Sequence, residues 1–366
     1  MHDVLLTVSG TIPTDIESQI AEEKRPLADY IAMARTFGAD LIDYPIARRQ
    51  TGWLGGIIEK LAGRNAMLAW ACYQKRGQYR VLFTDGEQVG IPLALLLKFA
   101  SFGKRPLHFA IGHILSVGKK MLFFDYLKIQ SHIDRFFVYA TWQKRFIEER
   151  WQVPGERVVF TPFMVDADFF SPERAGGAMD KLRTLAPAGV PVICAVGLEF
   201  RDYPTLMEAV AGLDVHVVIA AGSPWSKRSD TTEGQEIPDN VTVQRFSQYE
   251  LRDLYAMSEF LVMPLFNVNF QAGVTALLEA MAMSKAVICS STPGQTDVVV
   301  EGETGLYVPP ENAKALREAI QTLLQQPERS AEMGRNGRIR IEQEMSLARY
   351  TERLNAYVNP EPLKTV

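Results

Sequence analysis

Short uncharged runs of β-branched residues that end near a glycine alternate with longer helical stretches, and this alternation begins twice along the chain. Val4–Val8 ends in Ser9-Gly10; far downstream Val190–Val196 runs into Gly197 and His216–Ala220 into Gly222. Continuous apolar strands separated by helices belong to parallel sheets covered on both faces, because each parallel connection must cross over through a helix. With 366 residues, the chain is long for one such core and comfortable for two. The fold class expected is therefore α/β, with two Rossmann-like doubly wound domains. Periodicity breaks at Ser171-Pro172, Gly176-Gly177 and Ala186-Pro187-Ala188-Gly189, so the domains are expected at 1–172 and 173–345, with a tail at 346–366 returning to the first. Within the first half the pattern predicts a strand over Asp40–Tyr44, a long helix over Trp53–Gln74 broken near Gly63, a helix over Pro92–Phe102 opened by its proline, and another over Lys119–Ser131. Two such halves place a cleft between them, with ligands at the carboxyl ends of the strands.

Composition narrows the functional classes. The net charge of −4 provides no basic field for nucleic acid. Cys72, Cys194 and Cys289 are far apart in apolar runs, which is neither a disulfide framework nor metal-ligand spacing and suits a reducing cytoplasm. The opening MHDVLLTVSG lacks the charged start and apolar length of a leader. The most apolar stretch, IPLALLLKFASF, is short for a membrane span and is interrupted by Lys98.

The run Phe270-Gln-Ala-Gly-Val-Thr-Ala-Leu-Leu-Glu279-Ala-Met-Ala carries the chemistry. A glycine-containing loop opens an apolar helix near Gly273, so the N–H groups around Ala272, Gly273, Val274 and Thr275 lack helical partners and form an anion site suited to a diphosphate. Glu279 follows about one turn later among Ala, Leu and Met. A carboxylate in that company needs a partner, and a ribose diol would supply two hydroxyls. Spacing alone leaves a second reading open, in which this glutamate faces solvent.

This run resembles the signature of the retaining GT-B glycosyltransferases of family 4, in which two glutamates stand eight residues apart around a glycine-rich loop. Glu279 matches the second, the ribose ligand. Gln271 stands where the family has the first, and an amide can bond sugar hydroxyls but cannot serve as a base. The resemblance continues through ICAVGLEFRDYPTLMEA, where Leu198 follows Gly197 in place of the family's arginine and Arg201 fits the family's phosphate-binding lysine. The alternative for Arg201 is a surface pairing with Glu199 or Asp202. HVVIAAGSP over His216–Pro224, with Gly222, resembles the turn beneath the nucleotide. VTVQRFSQYELRDLY resembles the segment along the base, where Phe246 and Leu251 either line the nucleotide or pack the core. PGQTDVVVEGETGLYVP resembles the family's last turn and strand.

The first half is less specific. Gly10 permits a close backbone approach to the donor phosphate. His113 resembles the family's histidine beside the donor sugar, with a structural role as the alternative. Asp85 and Glu87 follow a strand, where they would orient an acceptor hydroxyl or cap the next helix. Asp166-Ala-Asp168 matches a metal-binding pattern superficially but belongs to the linker. No catalytic metal or other cofactor is expected, since the nucleotide sugar is a substrate. Stretches mixing apolar and basic residues (Trp53–Arg76, Lys98–Arg105, Lys119–Lys120) suit either a core-facing helix or an anionic membrane surface. The resemblance implies a retaining hexosyltransferase using a nucleotide sugar, most commonly a UDP-sugar, on a saccharide or lipid-linked hydroxyl acceptor. A nucleotide-holding homologue without turnover, an epimerase and a phosphorylase are the rival readings.

Overall fold

The computed structural model of the chain describes residues 3–101, 105–222, 232, 234 and 236–360. Ser223 and Pro224 of the expected nucleotide turn, and 102–104 of the basic stretch ending at Arg105, lie outside the described residues. The chain divides into two compact units. One holds the described residues up to Glu17, Ala28–Thr161 and those from Tyr350 onward; the other holds Ser18–Leu27 and Pro162–Arg349.

The first unit is built on β1 (Val4–Thr7), β2 (Ala39–Ile42), β3 (Val81–Asp85), β4 (Leu107–Gly112), β5 (Arg135–Val138) and β6 (Val158–Phe160), in the order β2-β1-β3-β4-β5-β6. The second is built on β7 (Val192–Val196), β8 (His216–Ala220), β9 (Val241–Gln244), β10 (Phe260–Met263), β11 (Ala286–Ser290) and β12 (Gly305–Val308), in the order β12-β11-β10-β7-β8-β9. All pairings within these sheets are parallel, with Leu5 between Asp40 and Leu82 and Cys194 between Val218 and Leu261. Every residue of β1, β7, β8, β10 and β11 is buried, which is why these runs carry no alternation. In each sheet the first strand of the unit has neighbours that lead away in opposite directions. The order therefore reverses beside β1 and beside β7, and at such points the loops leaving the strands diverge and leave room for a ligand.

Local chemistry starts the helices. Ser247 and Glu250 form a reciprocal capping box at Gln248–Met257. Asp202 accepts from the Thr205 N–H at the start of Tyr203–Val210, and Asn312 from that of Ala315 at Ala313–Gln325. Four expected boundaries move. Asp43 accepts the Ile46 N–H at 2.9 Å with Pro45 in the first turn, so a helix runs Tyr44–Ala62, interrupted by non-helical Gly52 and closed at Gly63 (φ +87°). The strand accordingly stops at Ile42 instead of reaching Tyr44. Gly86 (φ +104°) turns the chain directly after β3, so the next helix begins at Glu87 and Pro92 lies inside it. The helix Gly118–Asp125 ends early, and a short turn at Ile129–His132 follows left-handed Lys128.

The first unit's main run stops at Thr161, and the segment up to 172 joins the second, where the Val165 N–H donates to Met345 O at 3.0 Å and Val165 O accepts the Leu347 N–H at 2.8 Å. Asp166 is spent on main chain: it accepts from Leu27 at 2.7 Å and from Asp168 and Phe169 at 3.1 Å. The helix Leu347–Val358 carries Tyr350, whose hydroxyl lies 3.0 Å from that of Tyr139, and Tyr357, which meets Phe137 edge-on. Leu354 on this helix is fully buried. Leu354→Ala should cost the first unit about 2–5 kcal/mol through lost burial and an unfilled cavity. Urea unfolding followed by tryptophan fluorescence tests this, since Trp53, Trp70, Trp142 and Trp151 all lie in that unit.

Candidate functional site

In the second unit the candidate residues gather where β7 and β10 end. β7 runs into Gly197 (φ +103°), and Tyr203 donates its hydroxyl to the Gly197 carbonyl. Arg201 folds back over this turn. Its Nε donates to Val196 O at 2.9 Å and its Nη1 to Glu199 O at 2.6 Å. The side chain is 5% exposed, so this is not the surface pairing with Glu199 or Asp202 carboxylates that the sequence left open. Burial lowers its pKa, and a guanidinium still keeps its proton. The turn is fastened to the loop after β10 by Asp202 N–H to Pro264 O and Phe266 N–H to Phe200 O, and Phe200 packs edge-on against Phe270.

That loop delivers the chain to the helix Val274–Ala282, whose N-cap is Gly273 in a left-handed turn (φ +78°) with no side-chain cap. A β-carbon on Gly273 would lie 3.2 Å from Arg201 Cζ and Nη1 and 2.7 Å from Met263 Sδ. The guanidinium therefore sits against the helix start, and both put positive charge in one place. Ala272 and Val274 are buried and Thr275 is exposed. Gln271 Oε1 is buried with no hydrogen-bond partner among the described residues.

One turn on, Glu279 is 6% exposed, so the solvent-facing reading fails. Its Oε2 accepts the Tyr255 hydroxyl at 2.7 Å. Burial among apolar neighbours raises the Glu279 pKa to about 7, against the opposing pull of the Tyr255 bond. Gly222 lies two residues past the end of β8, the strand paired with β7, while Phe246 and Leu251 are half-buried against the core. Their packing does not by itself mark a ligand contact. Two residues that sequence reading passed over support the loop. Gln295 is fully buried and donates its amide to Ala272 O. A β-carbon on Gly294 would fall 2.2 Å from the Phe270 backbone, so only glycine fits there.

In the first unit, Asp85 closes β3 and His113 follows β4. His113 Nε2 meets Asp85 Oδ1 at 3.2 Å, and Ser9 donates to Asp85 O, which joins the β1 and β3 turns. Burial opposes charge on His113, but Asp85, then Glu87 and Asp29, outweigh it and raise its pKa to about 9. Asp29, unmarked by any sequence motif, is raised to about 6 by burial and by Asp85. Gly10 faces open space: a β-carbon there would meet nothing within 4 Å. Glu87 departs from its expected acceptor role. It is 5% exposed, Oε1 is paired with Lys120 at 2.6 Å, and Oε2 accepts the His113 N–H at 2.9 Å. It points inward because the helix starts at this residue.

Residues 189–340 match the family described as glycosyl transferases group 1. Over 146 residues the chain is 31% identical to a D-rhamnosyltransferase of Pseudomonas aeruginosa, covering 39% of this chain and 38% of that one. Over 185 residues it is 28% identical to the D-inositol 3-phosphate glycosyltransferase of Corynebacterium glutamicum, covering 46% and 44%. The matches thus span less than half the length of these two relatives. Among solved structures, sucrose-phosphate synthase from Thermosynechococcus elongatus superposes with a TM-score of 0.72 at 19% identity over 98% of each chain. An Anabaena protein, HepE, solved with UDP-glucose, superposes at 0.72 and 13% identity over 98% of this chain and 99% of that one. At these identities the likeness establishes the fold, which is GT-B.

The burial of Glu279 has a pH signature. Its folded pKa of about 7 exceeds the ordinary value of 4.5, so stability is fullest below 4.5 and is lost as pH rises through 7. Glu279→Gln removes that loss. Urea unfolding should show the variant gaining roughly 3 kcal/mol on wild type between pH 5 and pH 8. An unchanged difference would place the carboxylate in water.

Proposed function

We propose that this chain, whose residues 189–340 match the glycosyl transferases group 1 family, transfers a hexose-type sugar from a nucleotide sugar to a hydroxyl acceptor with retention of anomeric configuration. The observation that carries this reading is the placement of the buried Arg201 guanidinium against the uncapped helix start at Gly273. Charge that develops on a departing diphosphate would meet donors already in place, which is where electrostatic preorganisation lowers a barrier most. The Arg201 guanidinium and the helix N–H groups supply the positive charge, so this reading calls for no catalytic metal. Glu279, one turn inward, takes the ribose hydroxyls, with Tyr255 holding one carboxylate oxygen. Gln271 Oε1 serves the donor sugar as a hydrogen-bond acceptor. Gly197 and Gly222 let backbone approach the nucleotide, with Phe246 and Leu251 beside the base.

UDP is the proposed nucleotide, supported by the solved complex of HepE with UDP-glucose. In the first unit, charged His113 donates to the sugar or to the departing oxygen, and Asp85 orients the ring and the acceptor. No helix among the described residues is long and apolar enough to cross a membrane. Trp53 and Leu61 are 78% and 80% exposed, with half-exposed Ile57 between them on one helix face and basic Lys60 and Arg64 alongside. This stripe supports contact with an anionic membrane from the cytoplasmic side, and hence a lipid-linked acceptor.

Calorimetry with UDP, UDP-sugars and uridine tests the donor site. Arg201→Ala should weaken UDP-sugar binding about 10- to 100-fold, as expected for a lost charge-assisted contact, and uridine binding little. Equal losses for both ligands would remove the phosphate role. Transfer and donor hydrolysis over a panel of nucleotide sugars separate an enzyme from a nucleotide-holding homologue. Tight binding without turnover would favour the latter. Gln271→Glu should leave donor binding within a few-fold of wild type; its collapse would show that the amide itself is required.

A further inference from the structure

The loop that carries His113 is held by side chains from three helices at three successive main-chain positions. Gln143 Nε2 donates to Gly112 O at 2.9 Å, Glu87 Oε2 accepts the His113 N–H at 2.9 Å, and Lys120 Nζ donates to Ile114 O at 3.0 Å. Glu87 and Lys120 also pair with each other at 2.6 Å. Neutral amides such as Gln143 suffice to hold carbonyls and N–H groups. A carboxylate taken out of water costs several kcal/mol even when paired, so its charge needs a further reason.

The surroundings of His113 give that reason. Asp85 on β3, Glu87 on the helix after it and Asp29 at the start of Asp29–Phe37 bring negative charge to the ring. Lys120 on Gly118–Asp125 is the cation paired with Glu87. Just after β5 comes Tyr139, whose ring centre lies 5.4 Å from that of His113, and from the last helix Tyr350, whose hydroxyl lies 3.0 Å from that of Tyr139. Burial raises both tyrosine hydroxyls well above their ordinary range, so they stay neutral. Lys120 and His113 together hold the Glu87 carboxyl below its ordinary value against burial, which keeps it charged.

We propose that Glu87 and Lys120 are positioning residues for His113: both fix its loop so that the ring stays on Asp85, and the Glu87 carboxylate maintains it as a cationic donor toward the sugar or the departing oxygen. This role rests on the transferase reading given above. The ring then enters the reaction charged, stabilises developing negative charge, and is not a base. Glu87→Gln retains an acceptor for the His113 N–H and removes the charge. Lys120→Met removes the counter-charge and the tie to Ile114.

The test is NMR titration of the histidine ring signals in the full chain, with His113→Gln used for assignment, beside the pH profile of transfer. In wild type the His113 midpoint should lie near 9. Glu87→Gln should lower it by about one unit, as expected for loss of a nearby opposite charge, and the alkaline limb of kcat should move with it. Lys120→Met should lower kcat about tenfold with UDP affinity unchanged, a typical loss for a mispositioned group. Lys120→Arg should restore most of it. A purely structural role would lower the unfolding temperature of Glu87→Gln and leave the His113 midpoint in place, which would overturn the proposal. Should Glu87→Gln fail to fold, a Lys120→Met variant whose kcat and pH profile match wild type would overturn it equally. A wild-type chain that transfers no sugar would sink the transferase reading, while the titration would still decide whether Glu87 sets the charge of His113.

Discussion

The guanidinium of Arg201 occupies the point where the second sheet changes direction. β7 and β10 are neighbours in space but not in sequence, so the loops that leave them diverge, and Arg201 fills the angle between Gly197 and Gly273. Two glycines with positive φ make room for one planar cation. Its bonds to Val196 O and Glu199 O fix its plane, and the adjoining helix start, which has no side-chain cap, adds its N–H groups. Glu279 projects from the same helix, so the distance between anion site and carboxylate is set by helical rise alone. Gln295 and Gly294 brace the loop from below, which keeps that spacing rigid.

The first unit repeats the geometry with different chemistry. Its reversal lies beside β1, where the Ser9 hydroxyl bonds Asp85 O and Gly10 faces open space. Here the charges are mostly on side chains: Asp85, Asp29 and Glu87 surround His113, and Lys120 balances Glu87. One unit thus offers a positive cradle for phosphate and the other a histidine held in its charged form. A sugar transfer that separates charge between a leaving diphosphate and an anomeric centre has use for both.

Much of this was legible in the residues. Uncharged strand runs ending at Gly197 and Gly222 fixed the parallel sheets and the turns that matter. The apolar neighbours of Glu279 called for a partnered carboxylate but left a solvent-facing one open, and the family resemblance, counted back from Leu206, pointed to Arg201. What stayed hidden depends on contacts between distant segments. Tyr255 lies a full helix–strand unit before Glu279, and no local pattern joins their hydroxyl and carboxylate. Glu87 reads as a loop residue beyond a strand only if the helix starts at Pro92; with the start at Glu87 itself, it is carried inward to Lys120. Asp29 sits in no motif, and its raised pKa comes from burial and then from Asp85. Gln295 looks like an ordinary turn residue until the turn is seen beneath the 270–272 loop.

The central claim is that one helix start, one buried arginine and one buried glutamate together hold a nucleoside diphosphate. A crystal structure of the chain with UDP bound tests it most directly. The account predicts the diphosphate within hydrogen-bond distance of the Arg201 guanidinium and of the N–H groups at Val274 and Thr275, with both ribose hydroxyls on Glu279. A nucleotide bound elsewhere, or one whose ribose leaves Glu279 bonded to Tyr255 alone, would contradict it.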